Sequence, residues 1–305
     1  MKNFKDKVAV ITGGASGLGR QFANTAAALG MRLVLADVQV DALEQAKAEL
    51  EAQGAQVLAV RCDVRKSEQV QALADAAIDR FGAVHLLFNN AGVGSGGLIW
   101  ENSVADWEWV LGVNVWGVIH GVRIFTPLML ACAQRDPDYE GHIVNTASMA
   151  GLLNAPATGV YNVSKHAVVA LSETLFHDLN LVGAPIGASV LCPYFVPTGI
   201  DNSHRNRPGE LKMTGAPTAS QKAAQALVSR AVESGKVSAA QVAELTFKAI
   251  GEGKFYIYSH PQALGEVGAR MEAIVSQSNP PDPYAGAPHI RAALLAKMRE
   301  GGGPA

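Results

Sequence analysis

The stretch "KVAVITGGASGLGR", residues 7–20, decides the fold. Val8 to Ile11 is an unbroken apolar run, not an alternating one. A strand with one face in water alternates; a strand buried on both faces does not, and burial on both faces marks a parallel sheet. The run ends in Gly13, Gly17 and Gly19, with Ser16 and Leu18 between them, where a helix should open. Glycines at such a junction allow a tight turn and let backbone N–H groups close on a pyrophosphate at a helix N-terminus. A plain strand-to-helix turn would use the same residues, so the glycines alone leave both readings open. Their position at the first strand and first helix favours a nucleotide.

Working outward, similar apolar runs recur at 32–38, 55–64, 84–92, 141–148, 187–193 and 255–260. Helical patterns fill 17–30, 41–53, 67–81, 103–134, 159–182, 220–234 and 238–251. Asp41 with Glu44, and Ser238 with Gln241, read as N-cap and N3 pairs. Strand and helix alternate, which predicts an α/β chain: a doubly wound, seven-stranded parallel sheet with helices on both faces. Residues 197–219 break the rhythm and read as a long functional loop. The expected organisation is one catalytic domain over 1–277, including that loop, and a C-terminal extension over 278–305. In the extension a proline-rich stretch, "SNPPDPYAGAP", precedes a short helical pattern and a frayed end, "REGGGPA". Ile290, Leu294, Leu295 and Met298 form a stripe that needs cover, for which a neighbouring subunit is one candidate.

Hydrophobic residues make up 49% and charged residues 17% of the 305, enough apolar material to pack a large core. The net charge of -2 gives no electrostatic reason to expect nucleic acid or an acidic membrane surface. Cys62, Cys132 and Cys192 are few, odd in number and far apart, which suits a reducing compartment. The most apolar long stretch, 109–133, is broken by Asn114, His120 and Arg123, so no membrane span is expected. The first residues carry no signal-peptide pattern. A cytoplasmic protein is the expectation, with no metal-ligating cluster.

The second strand ends in Asp37, roughly 20 residues past the glycines, where an acid would hydrogen-bond a ribose 2′-hydroxyl. The same carboxylate would repel a 2′-phosphate, and the nearby base in sequence, Arg20, lies inside the helix. NAD is therefore favoured over NADP, although Asp37 could also serve as a turn residue before the next helix. The third strand ends in Asp63 and Val64, with Asp63 able to accept from an adenine amino group or to start a turn. The fourth ends in Asn89 and Asn90. Both need partners on a buried strand end, and Asn90 could brace the sheet or line the cofactor pocket.

Thr12 to Gly19 as T-G-x3-G-x-G, "NNAG" at 89–92, Asn114, Ser148 and Tyr161-x-x-x-Lys165 occur in that order. This ordered set resembles the short-chain dehydrogenase/reductase family over roughly residues 5–200 and the seventh strand. The resemblance implies a Rossmann fold and a hydride transfer between an alcohol and a nicotinamide. A tyrosine with an ordinary pKa near 10 is a poor base at neutral pH, and a lysine ammonium nearby favours its phenolate. Tyr161 is the candidate acid/base and Lys165 its tuner; by resemblance Lys165 also holds the nicotinamide ribose. Ser148 would steady the substrate oxygen, and Asn114 would hold a water linking Lys165 to solvent. Ser148 as a strand-end cap and Asn114 as a backbone pin are the structural alternatives.

In "CPYFVPTG", Pro193 matches the proline of the family's Pro-Gly pair, Val196 and Thr198 match the hydrophobic residue and threonine that touch the nicotinamide carboxamide, and Tyr194 departs from the usual glycine. Tyr194 and Phe195 read as substrate walls, unless Tyr194 turns outward. Asn154 is the one strong polar group in "MAGLLNAP", and Trp100 adds aromatic surface. These favour a bulky hydrophobic or aromatic secondary alcohol or ketone, although His204, Arg205 and Arg207 could meet a carboxylate. The C-terminal segments loosely resemble aromatic-alcohol Cα-dehydrogenases. The long helices resemble those that pair across a two-fold in this family, with Trp109 and Trp116 on nearly one face, and a homodimer or homotetramer is expected. An NADP-linked carbonyl or 3-oxoacyl reductase, and a non-catalytic NAD-binding regulatory protein, are the alternatives. The latter usually loses the Tyr or the Lys, and both are present here.

Overall fold

The apolar runs pair side by side as parallel strands. In the computed structural model, which describes residues 1–213 and 215–300, the strands are β1 (Val8–Thr12), β2 (Arg32–Asp37), β3 (Val57–Arg61), β4 (Leu86–Asn89), β5 (Gly141–Thr146), β6 (Ile186–Cys192) and β7 (Tyr256–Tyr258). They form one seven-stranded sheet of order β3-β2-β1-β4-β5-β6-β7, with every pair parallel. The order reverses between β1 and β4, and in open α/β sheets ligands bind in the crevice outside the strand ends at such a point.

Helices cover both faces, which is why β1 and β5 are buried throughout. On one face α1 (Gly17–Ala28), α2 (Val40–Glu51) and α8 (Ala239–Gly251) supply Phe22, Leu43, Leu50, Phe247 and Ile250 to a core with Phe88. Phe22 and Phe88 stack at 4.5 Å between centroids. On the other face α3 (Ser67–Phe81), α5 (Gly117–Arg135) and α6 (Gly159–Leu181) supply Leu73, Phe125, Met129 and Leu175. Each such buried side chain contributes about 1.5–3 kcal/mol through removal from water.

Helix ends follow local chemistry. Gly82 closes α3 at φ 78°, a left-handed conformation that residues with a Cβ adopt at a cost. Ser238 and Gln241 form the expected capping box. Asp41 and Glu44 do not cap α2: the Asp37 carboxylate already accepts the Gln39 N–H at 3.0 Å, so the helix starts at Val40 and Asp41 falls in its first turn. There it still favours the positive end of the helix dipole.

The expected helix 103–134 is three pieces: α4 (Val104–Leu111), a five-residue π turn (Gly112–Trp116) and α5. Trp109 and Trp116 do not share a face; Trp109 is 2% exposed and Trp116 53%. Seven residues of α-helix would return to within about 20°, but a π turn carries an extra residue and rotates the helix beyond it. By length and composition alone the run Val104–Arg135 could cross a membrane. Here Asn114 and His120 are buried in it, and it packs on α3, α6 and β4.

Beyond the sheet, the 197–219 stretch is not structureless. It carries 3-10 turns at Ile200–Asn206 and Gly209–Leu211 before α7 (Ala219–Glu233), which opens on a Thr218/Gln221 capping box. Thr214, in that loop, and "GGGPA" at 301–305 lie outside the described residues. The 3-10 turn Pro261–Ala263 leads into α9 (Leu264–Val275), in a segment assigned to no helix from sequence; Leu264, Val267 and Met271 carry its helical spacing. Arg299 and Glu300, expected to fray, close α10 (Pro288–Glu300). The stripe on α10 is covered by the chain's own α7: Leu294 is buried against Ala223, Ala224 and Leu227, with Met298 beside it, while Leu295 stays exposed.

Candidate active site

At the switch point the strand ends open into one cavity of about 1340 Å³. Single small-molecule pockets span roughly 300–1,000 Å³, so this one has room for two ligands end to end. Of the expected cofactor residues, Gly13, Ser16, Gly17, Leu18, Asp37, Asp63, Val64, Asn90, Tyr161, Lys165, Val196 and Thr198 all line it. Gly19 lies beneath, where an added Cβ would stand 2.0 Å from the Gly13 carbonyl oxygen. No side chain fits there, so the loop stays flat against α1. Gly13 takes φ +64° and Gly17 φ +54°. The cradle that results is the shape a pyrophosphate needs.

Asp37 ends β2 with its carboxylate in the crevice. One oxygen accepts the Ala15 N–H at 3.2 Å and the other the Gln39 N–H at 3.0 Å, and each keeps a lone pair for a ribose hydroxyl. Arg20 is not the base near it; Arg20 pairs with Glu49 at 2.7 Å. Among the bases that line the same cavity are Arg61, the register partner of Asp37, and Arg205, whose Nε donates to Gln39 Oε1 at 3.3 Å. Asp63 is already held by Arg65 at 2.7 Å, and Arg65 also reaches Glu210 at 3.1 Å. Sequence reasoning does not single out Arg65 as a site residue, although it follows Asp63-Val64 directly.

Asn90 braces the floor. Its Nδ2 donates to the Thr12 carbonyl at 3.0 Å, and its Oδ1 accepts from Thr146 Oγ1 at 3.3 Å. Asn114 uses both Nδ2 hydrogens and one lone pair of Oδ1: Nδ2 donates to Val93 O and Ser164 Oγ, each at 3.0 Å, and Oδ1 accepts from Val93 N at 2.9 Å. The pin therefore holds the loop after β4 from the π turn. A Cβ on Gly92 would stand 3.6 Å from both Asn114 Oδ1 and Lys165 Nζ, so the missing side chain keeps the space between them open.

Ser148 ends the β5 segment; its Oγ donates to the Pro193 carbonyl at 3.2 Å and accepts the Ala150 N–H at 3.1 Å. Tyr161 and Lys165 stand one turn apart on α6, with Lys165 Nζ 5.6 Å from the Tyr161 ring centroid. Lys165 donates to the Thr146 carbonyl at 2.8 Å, a partner that the sequence does not reveal. Burial draws the Lys165 ammonium down to about 8. Tyr161 does not follow the expected direction. Burial pushes its phenol up to about 12, with the Ser148 hydroxyl working the other way. The lysine charge is spent on a carbonyl and is itself weakened by burial, so desolvation wins over attraction in the free protein.

Tyr194, Phe195 and Asn154 line the outer part of the cavity. Tyr194 is 40% exposed, and its ring lies 4.5 Å from Phe195 and 5.8 Å from His260. Trp100, at 76% exposed, is no part of the lining. Of the loop arginines, Arg205 lines the cavity and Arg207 does not. Arg207 pairs with buried Asp106 at 2.6 Å, and Arg205 donates to the Gly199 and Asn202 carbonyls. His204 does not reach the cavity lining.

A glycine cradle at a helix N-terminus, an acid ending β2 and a Ser, Tyr and Lys on one wall define a dinucleotide-dependent oxidoreductase. The family model for short chain dehydrogenases matches residues 7–209, and the chain belongs to that family. It is an oxidoreductase acting on CH–OH groups. It is similar to a short-chain dehydrogenase/reductase of Burkholderia phymatum solved in complex with NAD, at 57% identity and TM-score 0.90 over 93% of this chain and 99% of that one. A dehydrogenase/reductase of CLA biosynthesis from Lactiplantibacillus plantarum is 33% identical over 92% of this chain and 97% of its own length. A C alpha-dehydrogenase from Sphingobium sp. strain SYK-6 is 32% identical over 92% and 89%.

Proposed function

We propose that the chain is an NAD-dependent dehydrogenase/reductase that interconverts a bulky hydrophobic or aromatic secondary alcohol and its ketone. The observation that carries this reading is one cavity shared by Asp37 and the glycine cradle at one end, Ser148, Tyr161 and Lys165 along its wall, and Tyr194 and Phe195 further out. The cofactor, when bound, supplies the nicotinamide carbon that takes or gives the hydride. Tyr161 Oη takes the hydroxyl proton in oxidation and returns it in reduction. The Ser148 hydroxyl rotates from the Pro193 carbonyl to donate to the substrate oxygen, as a hydroxyl rotor can. Lys165, held by Thr146, supplies positive charge beside Tyr161, and Asn114 fixes the loop that forms the adjoining wall. Asp37 favours NAD by accepting from ribose hydroxyls where a 2′-phosphate would be repelled. The named relatives support the alcohol or ketone class.

Residues 1–277 form the catalytic unit in this reading, and exposed Trp116 and Val163, on the two long helical runs, suit a contact between copies of the chain. The test is turnover of a panel of aromatic and aliphatic secondary alcohols with NAD and NADP, beside Tyr161→Phe. A drop of about 10²–10⁴-fold in Tyr161→Phe is expected; full activity there would overturn the mechanism.

A further inference from the structure

The C-terminal extension reaches the cavity. Pro280, Pro281, Tyr284 and Ile290 line its outer end together with Tyr194 and Phe195. Nothing in the fold of the sheet requires this. The extension is held from both sides of its turn: Asp282 pairs with Arg291 at 2.6 Å and its Oδ1 accepts the Tyr284 N–H at 3.0 Å. Leu294 then seats α10 on α7 and against Ala157. Ala157 closes the segment that follows Ser148, and α7 contributes Ala224, Leu227 and Val228 to the cavity wall. The extension thus docks on the two elements that flank the reacting groups.

We propose that the extension is a specificity wall, and that Tyr284 is its selecting residue for a substrate with an aromatic ring remote from the carbinol carbon. Three aromatic side chains, Tyr194, Phe195 and Tyr284, line the cavity, the first two from the segment after β6 with rings 4.5 Å apart and the third, an electrostatic neighbour of Tyr194, from the extension. Glu266 and Arg270 of α9 line the same end. They carry one charge of each sign, and Asp282, which also lines the cavity, is paired with Arg291, so no surplus positive charge is left here to select an anion. Apolar area, aromatic faces and prolines remain, and these favour a neutral ring over an aliphatic chain. The proposal rests on the dehydrogenase reading of the same site and names its substrate class.

The experiment uses the full chain and two variants, Tyr284→Ala and Leu294→Asp, the second undocking α10 without touching the cavity. For each, kcat/KM is measured for a two-ring aromatic secondary alcohol and for a small aliphatic one, and the ratio is taken within each variant so that general loss of activity cancels. Calorimetric binding of the corresponding ketones to the NADH complex gives the same ratio without turnover. Both variants are expected to lower the aromatic-to-aliphatic ratio about tenfold, the size of one lost aromatic contact with its buried area. A ratio within twofold of the wild-type protein in both variants would overturn the proposal. Tyr161→Phe separates the two readings: full turnover there defeats the dehydrogenase mechanism, whereas the ketone-binding ratio reads the wall alone.

Discussion

Lys165 donates to the Thr146 carbonyl at 2.8 Å, and its Nζ stands 5.6 Å from the centroid of the Tyr161 ring. The lysine is 2% exposed. A buried ammonium with one carbonyl partner is held in its charged form at a cost to folding. Its value falls from 10.5 to about 8 because burial disfavours the charge. The unfolded chain therefore binds one more proton than the folded one between those values, and stability rises with pH through that window.

Lys165→Met should accordingly be inactive yet at least as stable as the wild-type protein at pH 7, where the penalty is on the order of 3 kcal/mol before the lost hydrogen bond is counted. The advantage should shrink as pH rises from about 8 to 10.5, over the window set by the two lysine values. Urea melts at pH 7 and pH 10 measure it. Equal destabilisation at both pH values would contradict the account.

Tyr161 offers the complementary test. In the cofactor-free protein a tyrosinate titration, with that of Tyr161→Phe subtracted, should place the phenol at about 12, raised by burial. Oxidised cofactor brings a positive ring beside it and should lower that value by about one unit or more. The rate of alcohol oxidation should then rise with pH up to the lowered value. An identical titration with and without oxidised cofactor would defeat this reading.

Asp37→Ser should shift the ratio of NADH to NADPH affinity toward NADPH by about tenfold or more, roughly one to two kcal/mol of removed charge repulsion. Arg61 and Arg205 already line the same cavity and would meet a 2′-phosphate once the carboxylate is gone. Fluorescence titration with each reduced cofactor reads the ratio. An unchanged ratio would remove Asp37 from the discrimination.

Arg207 and Asp106 form an ion pair at 2.6 Å with side chains 9% and 5% exposed. Burial alone would push the Asp106 carboxyl up, but hydrogen bonds from Ser103 and Arg207 outweigh it and hold the group below its ordinary value. Such a pair contributes stability above the unfolded value and loses it as pH falls through the folded one. Arg207→Met leaves the carboxylate buried without its cation and should cost about 3–5 kcal/mol at pH 7. The loss should lessen below about pH 4, the ordinary carboxylate range, as Asp106 takes a proton. A cost under about 1 kcal/mol at pH 7 would show the pair to be idle.

The inner sheet is legible in the sequence because β1, β2, β4, β5 and β6 are buried almost throughout and carry unbroken apolar runs, whereas the edge strands β3 and β7 are only partly covered. The glycine cradle and the Tyr161–Lys165 turn are legible because backbone geometry restricts which residues can stand there. Features that depend on distant partners are not legible. The Thr146 carbonyl that takes the Lys165 charge, the upward direction of Tyr161, and the Arg65–Glu210 contact each join segments far apart in the chain. The cover of the extension is hidden for the same reason: the stripe shows that Leu294 needs a partner surface, and only the fold shows that α7 of the same chain supplies it.

The π turn at Gly112–Trp116 has a consequence for chain length. Deleting one residue there would convert the run to unbroken α-helix, a change that looks conservative on paper. It would turn everything on one side by about 100° relative to the other. Either Asn114 would leave Val93 and Ser164, or Phe125 and Met129 would leave the core. The segment therefore acts as a phase lock between the reacting half of the helix and the packing half. Insertions and deletions there should be tolerated far less than substitutions.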